Sequence, residues 1–240
     1  MDRALSKLGL ASRTQAAELI RAGKVKVNGR VVLRVSHDVI PEKTKIEIEN
    51  QTQTTNTPRW ILFHKPKGTV TTRSDEKNRP TVFSLLADVG QYLIAVGRLD
   101  QATSGLLLLT NDTQFSAWVT DPKNAVPRTY LVTVRGEFSD ADASRLESGV
   151  SDEGESLSAH SILIRKRSRR ETHLVIQLIE GKNREIRRML KQVGHEVTVL
   201  KRVSFGGLEL GDLPTGKWRD LSVAELNQAF PGAPIKSSSI

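Results

Sequence analysis

The period of apolar and polar positions changes several times along this 240-residue chain. In the first fifth, Ala16, Ala17, Leu19 and Ile20 fall on one face of a helical repeat. Ser12 followed by Gln15 has the spacing of a capping box and predicts a helix that runs to Gly23. A shorter helix is expected before it, capped by Asp2 and stopped at Gly9. The period then falls to two in "VKVNGRVV". There Asn28-Gly29 predicts a tight hairpin, because both residues tolerate positive φ. "KIEIE" adds one more short strand. These elements define a first unit over residues 1–49.

"NQTQTTNTP" carries no period at all and predicts a linker over 50–58. Beyond it "RWILFHKPKG" opens a second unit with a buried strand at Trp60 to Phe63. "TYLVTVRG", "SILIRKR" and "HLVIQLIEG" alternate and are separated by helical stretches, which predicts a mixed domain with much antiparallel pairing over 59–230. Residues 231–240, "PGAPIKSSSI", are expected to fray. Within the second unit, Leu106 to Leu109 has the length of a buried strand. "EGKNREIRRMLKQVG" predicts a helix capped by Asn183 and stopped at Gly194. Ile186, Met189, Leu190 and Val193 lie on one of its faces, and Arg184, Arg187, Arg188 and Lys191 on another.

Charge adds a partner class to this layout. The chain is 38% hydrophobic and 26% charged, as a folded protein should be, and its net charge of +9 points to a polyanion such as nucleic acid. The excess is local. Residues 1–34 hold eight cations against Asp2 and Glu18, a net of +6, with Arg13, Arg21, Lys24 and Lys26 on the predicted helix and hairpin. Residues 165–202 hold twelve cations against four glutamates, a net of +8. Both clusters fit phosphate contacts. The chain contains no cysteine, which excludes disulfides and thiolate metal sites and fits a reducing cytosol. "MDRALSKLGL" has no apolar signal core, and no stretch nears the ~20 apolar residues of a membrane span. A cytoplasmic protein that does not engage membranes is expected.

Several chemistries drop out on residue type. "GDLPTGKW" has the glycine and lysine spacing of a phosphate loop, but Trp218 stands where a magnesium-binding hydroxyl is needed and Pro214 lacks a donor. The histidines show no metal-ligand spacing, and His64 and His195 read as packed or hydrogen-bonded. No nucleophile elbow is present. "SDEGE", Ser151 to Glu155, reads as an exposed acidic loop.

"GRLDQATSGLLLLTND" resists so plain a reading, because it sets Arg98 and Asp100 in a turn directly before the four leucines. A carboxylate there loses water, which costs free energy unless a cation compensates. Tyr130 is one of only two tyrosines in a chain poor in aromatic residues.

Two resemblances join these motifs. Ser12-Arg13, Ala16, Leu19-Ile20, Gly23, Val25 and Val27-Asn28-Gly29 resemble the S-four-type RNA-binding domain. Gly97-Arg98-Leu99-Asp100 with Thr103-Ser104-Gly105-Leu106, then Tyr130, then Glu180 to Arg184 with Ile186 to Met189, resemble the pseudouridine synthases that carry such a domain and act on ribosomal RNA. "HKPKG" is similar to that family's lysine-proline-x-glycine opening of the catalytic domain. Arg128 departs from the pattern, since a lysine commonly stands there.

The resemblance implies an α+β chain. A small N-terminal RNA-binding domain of the αL type would precede a pseudouridine-synthase domain with a mixed, largely antiparallel sheet flanked by helices. It implies Asp100 as the catalytic carboxylate, attacking either base or sugar, and Arg187 as its basic partner, with Arg184 and Lys182 as alternatives. Tyr130 would act catalytically, stacking on the uracil and helping to remove the proton from carbon 5, Ile186 would line the pocket, and Arg98 would enter the space the base leaves. Arg184, Lys182, Arg188 and the N-terminal cations Arg13, Arg21, Lys24 and Lys26 would hold RNA. No cofactor is implied, and the expected state is a monomer bound to ribosomal RNA or an assembly intermediate. Large-subunit RNA is favoured over small-subunit RNA. The rival expectation is a non-catalytic RNA-binding assembly factor.

Overall fold

The computed structural model describes residues 1–7, 11, 13–40, 44–49, 57–89 and 93–235. The expected stop at Gly9, the Ser12 cap and most of the expected linker and tail lie outside these residues, as does the side chain of Arg13. Near the N-terminus, α1 (Asp2–Lys7) and α2 (Arg13–Arg21) pack over a small antiparallel sheet. Its strands β1 (Val25–Val27), β2 (Arg30–Val31) and β3 (Ile46–Ile48) are ordered β2-β1-β3. Asn28 and Gly29 take φ of 48° and 81°, so the predicted turn forms as its residues demand. Leu5, Ala16, Ile20, Val25, Ile46 and Ile48 fill a separate core. Arg21, Lys24 and Lys26 are all exposed.

The remaining elements build a nine-stranded sheet. In chain order they are β4 (Trp60–Lys65), β5 (Ile94–Ala95), β6 (Ser104–Thr110), α3 (Thr113–Thr120), β7 (Arg128–Arg135) and α4 (Asp140–Ser148). The hairpin β8 (Val150–Asp152) and β9 (Glu155–Leu157) follows, then β10 (Ser161–Arg167), β11 (Glu171–Leu178) and α5 (Glu185–Gln192). β12 (Val197–Phe205), β13 (Leu208–Glu209), β14 (Trp218–Asp220) and α6 (Val223–Ala229) complete the chain. The sheet runs β10-β11-β7-β12-β6-β4-β14, with β13 beside β12 and β5 beside β6. The pairs are antiparallel except β12 and β6, which meet in parallel through Lys201 with Ser104 and Arg202 with Gly105.

The four leucines owe their run to this position. Central β6 is covered on both faces: Leu107 and Leu109 join a core with α4 and α5, and Leu106 and Leu108 join one with α3 and α6. A strand buried on both faces has no polar alternation to show. β11, by contrast, alternates as predicted, with Thr172, Leu174, Ile176 and Leu178 inward. Asp112 caps α3 by accepting from the amides of Gln114 and Phe115, and capping boxes start α4 and α6. One predicted cap moves: Arg184, not Asn183, is the N-cap of α5, in the left-handed region at φ 50° and with no side-chain cap bond. No helix among the described residues is long and apolar enough to cross a membrane.

Candidate active site

The site forms at the parallel joint. Gly105 sits so close to β12 that an added Cβ would lie 2.1 Å from the Arg202 carbonyl oxygen, and its φ of +109° excludes other residues without strain. β6 therefore begins against β12, and the turn before it, Arg98 to Thr103, is delivered to one edge of a cavity of about 480 Å³. Arg98, Asp100, Tyr130, Arg184, Ile186 and Arg187 all line this cavity, although they come from three separate stretches of chain.

Backbone hydrogen bonds fix the Asp100 turn. The amide of Thr103 donates to the Asp100 carbonyl at 3.0 Å, and that of Gly68 donates to Gln101 at 2.8 Å. Thr71 Oγ1 donates to the Leu99 carbonyl at 2.8 Å. Beneath them Lys65 is wholly buried, and its Nζ donates to the carbonyls of Thr103 at 2.8 Å, Asp100 at 3.1 Å and Pro66 at 3.1 Å. Burial lowers the Lys65 pKa to about 8, with the Asp100 charge opposing the shift. Sequence reasoning used Lys65 only as part of an opening motif. Its place under the turn depends on the β4–β6 register, in which Lys65 faces Gly105.

The Asp100 carboxylate does not lie in a dry pocket walled by leucines, as the sequence suggested. Its side chain is 33% exposed and lines the cavity. The cation nearest it also differs from the first expectation. Arg184 Nη1 lies 3.4 Å from Asp100 Oδ2. Arg187 instead holds backbone, with Nη2 donating to the Ala102 carbonyl at 3.2 Å and Nη1 to Val197 at 3.1 Å. The reason is the left-handed start of α5, which turns Arg184 towards the carboxylate and leaves Arg187 one turn deeper. Burial, and then the Arg184 charge, lower the Arg187 pKa, while Asp100 raises it.

Two other expected cations are engaged elsewhere. Arg188 is held by Asp152 at 2.5 Å and Glu155 at 2.6 Å, so "SDEGE" is a clamp on α5 and not a free acidic loop. Lys182 pairs with Glu180 and donates to the Ser156 carbonyl at 2.8 Å. Tyr130 and Ile186 are 8% and 3% exposed and share the cavity wall. Glu185 is also buried here; burial raises its pKa, and one carboxylate oxygen accepts from the Lys182 amide at 3.0 Å. His64 and His195 are hydrogen-bonded to the carbonyls of Leu213 and Arg135.

A carboxylate, an adjacent guanidinium and a buried tyrosine thus meet at the parallel joint of the mixed sheet. Residues 59–192 match the RNA pseudouridylate synthase family and residues 2–42 match the S4 domain, and the chain belongs to that synthase family. A ribosomal large subunit pseudouridine synthase B of Bacillus subtilis (strain 168) is 35% identical over 230 residues, covering 95% of this chain and 94% of its own. The protein of that name in Escherichia coli (strain K12) is 33% identical over 234 residues, covering 95% of this chain and 80% of its own. A crystal structure of a pseudouridylate synthase superimposes with a TM-score of 0.65 at 27% identity, covering 95% of this chain and 98% of that one.

Proposed function

We propose that this pseudouridine synthase acts on a uridine of large-subunit ribosomal RNA and that Asp100 is its catalytic carboxylate. The observation that carries the reading is Asp100 itself. Its turn is tied by backbone hydrogen bonds and by Lys65, and its carboxylate faces a cavity shared with Arg184 and Tyr130. The large-subunit assignment is drawn from the similar Bacillus and Escherichia proteins.

The isomerisation breaks the bond between ribose C1′ and uracil N1, forms one from C1′ to C5, and transfers the C5 proton to N1. Nothing is oxidised and no atom is lost, so the chemistry needs no cofactor. An ordinary aspartate is ionised at neutral pH and can serve as the nucleophile. A paired base cannot reach the cavity, so the uridine must be extruded, at a cost of a few kcal/mol. Arg98, exposed two residues before Asp100, enters the vacated stack on this reading. Tyr130 and Ile186 hold the base, and Arg184 orients the carboxylate. Arg13, Arg21, Lys24 and Lys26 of residues 1–49 serve as a phosphate-contacting surface, joined through 50–58 to the catalytic domain at 59–230. The working form is a monomer, acting in the cytoplasm where ribosomal RNA is found.

Asp100→Asn tests the assignment. The variant should keep RNA affinity within a few-fold and form no pseudouridine, as read by mapping modified uridines in ribosomal RNA. Turnover near that of the wild type removes Asp100 from the reaction.

A further inference from the structure

Four buried side-chain polar atoms lack a hydrogen-bond partner among the described residues: Trp60 Nε1, Glu185 Oε1, Arg187 Nε and Arg202 Nη2. Three of the four belong to residues that line the Asp100 cavity. Unpaired buried groups are rare in folded proteins, and their concentration at one place marks where a ligand completes them.

Arg202 is the most informative. It lies on β12 opposite Tyr130 of β7, so both side chains share one face of the sheet. It is 2% exposed, Nε donates to the Leu106 carbonyl at 2.8 Å, and Cζ lies 4.7 Å from the Phe205 ring centroid. No carboxylate pairs with it among the described residues. Arg128, a second buried cation, stacks on the same ring at 5.1 Å. The two differ in what remains to them. Arg128 Nη1 donates to Val126 and Glu180, so that guanidinium holds the loop leading to α5. Arg202 keeps a free donor. A buried guanidinium without an anion is a costly arrangement, and it persists where something bound later repays it.

On the reaction proposed above, we infer that Arg202 Nη2 donates a hydrogen bond to a ring carbonyl of the extruded uracil, beside Tyr130. When the N1–C1′ bond breaks, its electron pair stays on the ring and is shared with O2 and O4. That pair then supplies the C5–C1′ bond, and the C5 proton moves to N1. A fixed donor on a carbonyl therefore binds the detached base more tightly than the intact nucleoside, which is the condition for accelerating the step. A cation at this depth also needs no reorganisation when the charge appears.

The test combines protein and substrate changes. Wild type, Arg202→Met and Arg202→Lys are assayed in single turnover on an rRNA fragment whose target is uridine, 2-thiouridine or 4-thiouridine. Arg202→Met should slow uridine conversion by about 100-fold or more while RNA affinity stays within a few-fold, and Arg202→Lys should recover part of the rate. Sulfur at the contacted carbonyl should slow the wild type about 10-fold but leave the residual rate of Arg202→Met unchanged, because no donor remains to lose. If Arg202→Met does not fold, the sulfur effect must shrink in Arg202→Lys. Equal sulfur effects in wild type and variant overturn the contact and leave the reaction standing. A wild type inactive on uridine in ribosomal RNA instead overturns the proposed reaction.

Discussion

Lys65→Met probes how the Asp100 turn is held. The ammonium is fully buried and donates to three carbonyls at 2.8–3.1 Å, two of them, Asp100 and Thr103, closing the turn. Burial lowers its pKa from 10.5 to about 8, so keeping it charged in the folded state costs about 3 kcal/mol. Against that stand three charge-assisted hydrogen bonds of roughly 1.5–3 kcal/mol each. Methionine removes both terms and leaves the carbonyls against a thioether, for a net loss of roughly 2 kcal/mol or more. At 2–4 °C per kcal/mol the melting temperature should fall by about 4–8 °C at the least. The rate should suffer more, because a slackened turn misplaces Asp100, and about 1 Å of misplacement costs on the order of 100-fold.

A pH series gives an independent check. Between pH 8 and 10.5 the unfolded chain binds a proton at Lys65 that the folded chain does not, so wild-type stability gains with rising pH across that window. Below pH 8 both states are protonated and the penalty is constant. Denaturation at several pH values should show wild type gaining on Lys65→Met by up to about 3 kcal/mol between pH 8 and 10.5. A flat difference refutes the depressed pKa, and single-turnover rates within two-fold of each other refute the positioning role.

Two further substitutions follow from the same geometry. Gly105→Ala puts a Cβ against the Arg202 carbonyl at 2.1 Å in a backbone at positive φ, and should destabilise by roughly 2–5 kcal/mol. Unchanged melting would mean that β6 and β12 part more easily than their packing implies. Tyr130→Phe should retain substrate binding and Tyr130→Ala should lose it, if the ring acts by stacking; equal binding by both, measured on an rRNA fragment, counts against that role.

Much of the fold was legible in the chain because local rules decided it. The Asn28-Gly29 hairpin, the alternation of β11 and the apolar face of α5 each follow from residue type and spacing alone. The Asp100 turn was legible for the same reason: a charged turn against a leucine run is anomalous within 16 residues. What surrounds it was not. Arg202 stands at an inward position of an alternating strand, between Leu200 and Phe205, and that misplaced charge was the available signal.

The sequence by itself determined the main helices and strands, the basic character of both clusters and the charged turn at Asp100, since each is written within one short segment. Only the tertiary structure decided that Arg184 and not Arg187 faces Asp100, that Arg188 is claimed by Asp152 and Glu155, that Lys65 supports the Asp100 turn and that Arg202 lines the cavity. Those facts depend on a left-handed residue at the start of α5, a parallel joint between β6 and β12, and a hairpin folded back onto a helix. Each couples residues that are tens of positions apart, so no local pattern records it.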